Sequence, residues 1–298
     1  GMRRLNPNDR FALEQWCYGL VVSLQPKALL AEFADVTPGS PRENNPRFWS
    51  YRAVAYFMLQ DYTAQLAAAR RWRELQPESQ NALQFSLLAQ LGLGDNRSAL
   101  QLLDAASGMR ETGREGYPGY HFVVALAQLR RLGRGETPEF ATVVTKAEAW
   151  FASRPPSAAT SEMHRYDLAR VRYLAARYAD ARRDGEALVR DFPDNRAYRG
   201  FVGSCAARLG DAEAARAMLA WLRALNPQYR FGHQVYLQAR ICALLGQRDD
   251  ALRFLREAIV QYAAPVADFH ATTDFFLDAD FEPLATDSEF KAIVGPKG

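Results

Sequence analysis

The sequence predicts an all-α fold of antiparallel helix pairs stacked in a row. Three observations predict it. Prolines recur 34 residues apart, at Pro193 and Pro227, around a unit with two helical stretches. A turn at Gly94-Asp95, Gly210-Asp211 and Gly246-Gln247 follows a leucine-rich helix each time. An alanine stands five residues after each of those glycines, with a leucine four further on: Ala99 and Leu103, Ala215 and Leu219, Ala251 and Leu255. A small residue one turn before a large one on the same face suits close contact with a partner helix. Glycine supplies the left-handed conformation that ends a helix. No stretch carries the period-2 alternation of a strand.

The elements follow in order. Residues 9–24 and 26–35 read as a degenerate helix pair, closed by a Pro/Gly/Asn-rich break over 37–46, so that 1–45 forms an N-terminal cap. From Pro46, a first helix carries Trp49, Ala53 and Tyr56, and Tyr62 and Pro77 follow in its second half. The third unit is lengthened twice, by the glycine-rich loop 107–116 and by 134–138 between its helices. Pro138 falls at a helix start and Pro155-Pro156 beyond its end, where proline is tolerated. The unit from Glu162 carries Leu168-Ala169, Tyr178, Ala181 and Pro193, and the unit from Arg196 carries Val202-Gly203, Ala215 and Pro227. Ala169 and Gly203 are expected where two helices approach closely. Repeats account for residues 46–263.

The remaining stretch, 264–298, is an acidic, Phe-rich C-terminal cap. From Pro265 onward it holds seven acidic residues against two lysines, a net charge of −5 that leaves +8 on the rest of the chain. Phe269, Phe275, Phe276, Phe281 and Phe290 are interleaved with the acids. Two arrangements are open. Phe275, Phe276, Phe281 and Leu284 can cover the apolar face of the last helix pair, because an array needs a polar end. Alternatively, the tail folds back into the basic part of the chain as an internal pseudo-ligand.

These units resemble tetratricopeptide repeats, whose pattern is W-x2-L-G-x2-Y, then A-x3-F, then P. Leu132-Gly133 and Ala147-x3-Phe151 add to the matches already named, and about six units share one register. The resemblance implies a right-handed α-α superhelix whose first helices line a concave groove for a protein or peptide. Carried across in this register, the family's ligand-contact positions are Tyr120, Arg130, Met163, Tyr166, Arg170 and Tyr173, then Gly200, Ser204 and Ala207, then His233, Tyr236 and Arg240. The expected partner site has a hollow floor at Gly200, Ser204 and Ala207. Its walls are Tyr166, Arg170, Tyr173, Tyr236 and Arg240, with His233 nearby; Tyr and Arg are enriched at binding hot spots. Arg170 and Arg240 are expected as exposed charges. The family's carboxylate clamp is not reproduced, since Ser50, Val54 and Phe85 hold its places, so a chaperone adaptor is not implied.

Composition narrows the function further. With 298 residues, 48% hydrophobic and 24% charged, the chain reads as an ordinary globular protein. Residues 16–24 form the best apolar run, far short of the roughly 20 residues a membrane helix needs. Polar Asn6, Pro7, Asn8 and Asp9 follow Met2-Arg3-Arg4 where a signal peptide would be apolar, so a cytoplasmic location is expected. The basic residues are 33 Arg and 4 Lys. Guanidinium forks match carboxylate and phosphate, although a G+C-rich genome gives the same bias, and +3 overall does not imply nucleic acid. Cys17, Cys205 and Cys242 sit in apolar helical patterns and read as reduced core thiols.

No catalytic set converges in the sequence. His121, His164, His233 and His270 lack ligand spacing, and there is no Walker loop or GxSxG elbow. Asp278, Asp280, Glu282, Thr286 and Glu289 match five positions of a calcium loop, but Pro283 stands where its turn needs glycine. No catalytic residue, metal or cofactor is therefore expected. The reading is a non-catalytic interaction scaffold for an acidic protein or peptide, with no membrane or nucleic-acid partner expected. The alternatives are a helical-repeat nucleic-acid binder, and an enzyme, which a buried constellation of titrating groups would favour.

Overall fold

A computed structural model describes residues 10–34, 39, 43–109, 117–154, 161–225, 232–261 and 277–297. Those residues hold helices and no strand. In chain order they are α1 (Arg10–Val22), α2 (Pro26–Ala31), α3 (Pro46–Leu59), α4 (Tyr62–Leu75), α5 (Gln80–Leu93) and α6 (Asn96–Ser107). Then come α7 (Gly119–Arg131), α8 (Pro138–Ala152), α9 (Glu162–Leu174), α10 (Tyr178–Asp191), α11 (Arg196–Arg208), α12 (Ala212–Ala224), α13 (His233–Leu244) and α14 (Arg248–Val260). A 3-10 turn (Ala279–Leu284) and α15 (Ser288–Val294) end the described chain. The chain divides into two compact units, Gly1–Leu102 with Val294–Gly298, and Leu103–Ile293.

The 34-residue period is a property of the helices themselves. α3 and α5 begin 34 residues apart, as do α4 and α6, α9 and α11, and α10 and α12. Five of the intra-pair turns are built alike. One residue takes a left-handed backbone: Gln60, Gly94, Ala176, Gly210 and Gly246 have φ of 59°, 79°, 59°, 78° and 71°. The residue after it immediately precedes the next helix, and where that residue is Asp its side chain caps the helix. Asp61 accepts from the Ala64 amide at 3.0 Å, Asp95 from Ser98 at 3.1 Å and Asp211 from Ala214 at 3.1 Å. The sequence identifies this turn only where glycine marks it; Gln60 and Ala176 make the same turn with a Cβ. The turn between α7 and α8 is longer, with Gly133 left-handed, Thr137 capping the Phe140 amide at 3.3 Å and Pro138 in the first turn.

The unit Gly1–Leu102 with Val294–Gly298 packs around aromatic side chains. Phe33 lies 5.2 Å from Phe48 and 5.8 Å from Tyr51, and Phe85 meets the edge of Phe57 at 6.0 Å. The buried Gln65 amide donates to the Phe85 carbonyl at 2.8 Å.

In the unit Leu103–Ile293, Ala169, Ala181 and Cys205 make a small-residue seam under Tyr173 and Phe201. A Cβ on Gly203 would lie 2.5 Å from Ile241 Cδ1 and 3.0 Å from Met218 Cβ, so this glycine allows α11 to close on its neighbours. Gly203 thus sits at a close approach, as expected, Ala169 is fully buried in the seam, and the alanine–leucine pairs of the repeat are all buried. The three cysteines are buried thiols. Burial pushes the Cys242 thiol up to about 11 and that of Cys205 higher still, so both are protonated at neutral pH. Among the described helices none is long and apolar enough to cross a membrane. Residues 110–116, Pro155, Pro156, Asn226, Pro227, Phe269, Phe275 and Phe276 lie outside the described residues.

Candidate functional site

Within the unit Leu103–Ile293, the first helices α7, α9, α11 and α13 send side chains to one short segment, 278–282. The segment folds locally for reasons its sequence supplies. Asp278 caps the 3-10 turn by accepting from the Asp280 amide at 2.9 Å, and this tight turn directs both aspartates at the helices. Asp287 then caps α15 through the amides of Glu289 at 2.8 Å and Phe290 at 3.0 Å.

Asp280 is the centre of the arrangement and has no exposed surface. Sealing a lone carboxylate from water costs several kcal/mol, and here it is compensated on both oxygens. The Tyr173 hydroxyl from α9 donates to Oδ1. The Ser204 hydroxyl from α11 donates to Oδ2 at 2.6 Å, and Arg240 Nε from α13 donates to the same oxygen at 2.8 Å. Asp278 Oδ2 receives the Tyr236 hydroxyl and lies 3.1 Å from Arg240 Nε. Glu282 meets Arg130 from α7 on two prongs, at 2.8 and 2.7 Å, and Arg208 at 3.1 Å. Arg208 also donates to the Ala279 carbonyl at 2.5 Å and to the Tyr173 hydroxyl oxygen at 3.3 Å. The apolar partner of these contacts is Phe281, whose ring is 5.8 Å from Tyr236 and 5.5 Å from Phe290.

The electrostatics divide the two aspartates. Burial alone raises a carboxylate. At Asp280 that push is overcome by the Arg240 charge, the hydrogen bonds from Ser204 and Tyr173 and the Arg208 charge, which hold it below its usual range. At Asp278 burial prevails, helped by the neighbouring Asp280 charge, and the carboxyl is pushed up to about 6. Burial beside Asp280 pushes the Tyr173 hydroxyl well up. Arg240 is buried too, but Asp278 and Asp280 hold it firmly charged.

Of the nine residues expected to form the partner site, four touch this segment: Tyr173, Ser204, Tyr236 and Arg240. Tyr166 and Arg170 meet side chains of the first helices. The Tyr166 ring is 4.9 Å from Tyr198, and the Arg170 guanidinium lies 5.3 Å from the Tyr120 ring and 3.3 Å from Asp167. His233 stands apart, with Arg196 Nε donating to its Nδ1 at 3.1 Å. Ala207 is half-buried. Gly200 is not a hollow: a Cβ there would lie 2.7 Å from Leu237 Cδ2, so the glycine serves helix packing. Arg240 is not an exposed charge either, having only 15% of its side chain accessible between two aspartates. Arg208 was missed by the sequence reading. Its signal was faint but present: it lies one turn past Ser204 on the same face of α11.

The calcium-like carboxylates are otherwise engaged. Glu289 pairs with Arg256 and, at 2.8 Å, with Arg248, while Asp287 lies 2.6 Å from Arg248. Among the described residues no group of three or more His, Cys, Asp or Glu could hold a metal ion. Phe281 and Leu284, expected as cap residues, are both buried.

No family model matches the sequence, and no curated protein matches it. The chain is similar to the crystal structure of a tetratricopeptide repeat protein from Parabacteroides merdae ATCC 43184, at 12% sequence identity and a TM-score of 0.46, over 89% of this chain and 96% of that one.

Proposed function

We propose that the chain is a non-catalytic interaction scaffold that binds an acidic protein or peptide on the face shared by α7, α9, α11 and α13. One observation carries the reading: those helices already hold an acidic peptide stretch, residues 278–282, through Arg130, Arg208, Arg240, Tyr173, Ser204 and Tyr236. Charge-assisted hydrogen bonds are the strong ones, and arginine is suited to two-pronged carboxylate recognition. Tyr166 and Arg170 extend the same chemistry beyond the occupied stretch.

A buried cluster of titrating groups is also how many catalytic sites are made. Here both Asp280 oxygens are taken by donors of the chain itself, and Ser204 points its proton at a carboxylate held ionised by Arg240. That is a saturated ion-pair network, with no free base poised over a nucleophile. Ligand recognition is the reading it favours.

The test is a fluorescence anisotropy titration of labelled acidic peptides, with lysine-rich peptides as controls, against the full chain and its Arg170→Gln and Arg208→Gln variants. Acidic peptides should bind, with affinity falling as salt rises, and each variant should weaken them about tenfold. Equal binding of acidic and basic peptides, or unchanged affinity in folded variants, would contradict the reading.

A further inference from the structure

We propose, resting on that reading, that the site recognises one acidic motif, Asp-small-Asp-aromatic-Glu, and that the chain's own Asp278-Ala279-Asp280-Phe281-Glu282 is a built-in copy that partners must displace. Each position meets a defined set of receptor side chains. Asp278 reads Tyr236 and Arg240, and Asp280 reads Tyr173, Ser204 and Arg240. The two aspartates share one guanidinium, so their spacing of one intervening residue is part of what is recognised. The middle residue is a buried alanine whose carbonyl accepts from Arg208, so the motif takes a small side chain there. The aromatic packs on Tyr236. The final acid bridges Arg130 and Arg208, joining α7 to α11.

The segment is anchored twice, and the two anchors differ in kind. Asp287 and Glu289 tie the following stretch to Arg248 and Arg256 on α14, and of these four side chains only Asp287 is shielded from solvent. Residues 278–282 instead occupy the receptor face itself. An end cap needs apolar cover; it does not need two buried aspartates on tyrosine, serine and arginine. The second anchor keeps the copy close to the site when the motif lets go. A tethered ligand acts at an effective concentration of about 1 mM. A motif with a free Kd of about 10 µM would therefore leave about 1% of chains open and weaken any partner about a hundredfold.

The experiment uses the full chain and a labelled synthetic peptide of residues 277–287. Asp280→Lys places a cation against Arg240, so the segment should leave the site while α15 stays anchored. The expected result is that the peptide binds this variant at least tenfold more tightly than the wild-type chain. A peptide of the same composition with the two aspartates adjacent should bind it at least tenfold more weakly. A folded variant that binds the peptide no better than wild type would overturn the built-in competitor. Equal binding of the two peptides would overturn the motif while leaving an acidic-peptide scaffold standing. If no acidic peptide bound the folded variant, the scaffold reading itself would fall. Should Asp280→Lys not fold, Asp280→Ser takes its place: tighter peptide binding than by the wild-type chain supports the proposal, and binding no better than wild type overturns it.

Discussion

Arg240 on α13 donates through Nε to Asp280 at 2.8 Å, across 40 residues of sequence, and the carboxylate it meets is fully buried. The pair fixes the acidic segment to the last of the four first helices that meet it. Removing the guanidinium leaves Asp280 with two hydroxyl donors and only the charge of Arg208 nearby. Arg240→Ala should therefore cost about 3 kcal/mol. Arg183→Ala, at a side chain 68% exposed, should change stability by less than about 0.5 kcal/mol. Urea unfolding of both variants checks this, and equal effects would refute it.

The two aspartates should respond oppositely to acid. Asp280 is held below its ordinary range, so its contribution is present above about pH 4, the unfolded value, and is lost as pH falls through its folded pKa. Asp278 is raised to about 6, so its contribution is present below about pH 4 and is lost as pH rises through 6. Between pH 7 and 5 the folded chain should take up a proton at Asp278. Asp278→Asn should remove that part of the pH dependence of stability, whereas Asp280→Asn, by removing a charge that helps raise Asp278, should shift it to lower pH. Unfolding measured at half-unit steps from pH 4.5 to 7.5 decides the matter.

Gly203→Leu should destabilise the chain by about 1–3 kcal/mol through overpacking, because even a Cβ there meets Ile241 at 2.5 Å. A thermal melt equal to that of the parent would mean that α11 does not close on α13 as described.

Ala176 holds the left-handed position that glycine holds at Gly94, Gly210 and Gly246. A residue with a Cβ is strained there by about 1–2 kcal/mol, part of which glycine returns as unfolded-state entropy. Ala176→Gly should stabilise the chain by about 0.5–1 kcal/mol, and Gly210→Ala should destabilise it by about as much. Melting temperatures that move the other way would contradict the shared turn.

These positions also show what was legible beforehand. Helix pairing was legible because glycine at a turn and alanine–leucine spacing are local signals. The turns at Gln60 and Ala176 were not, since packing holds them in a conformation their own chemistry disfavours. Tyr173, Ser204, Tyr236 and Arg240 were found through their place in the repeat. Gly200 was misjudged because a missing side chain can mean a hollow or a close contact, and only Leu237 on another helix decides between them. Burial of Arg240 was hidden for a similar reason: its partners lie in the tail, and the opposed charges of tail and array gave the only hint.

The basic first-helix face grips the acidic segment through specific pairs. A double-mutant cycle on Arg240→Ala and Asp280→Ala, read by urea unfolding of the full chain, measures that grip most directly. The expected coupling energy is about 1.5 kcal/mol or more, so that the double variant is much less destabilised than the two single effects together imply. Additivity to within about 0.3 kcal/mol would contradict it, because the two side chains would then act independently.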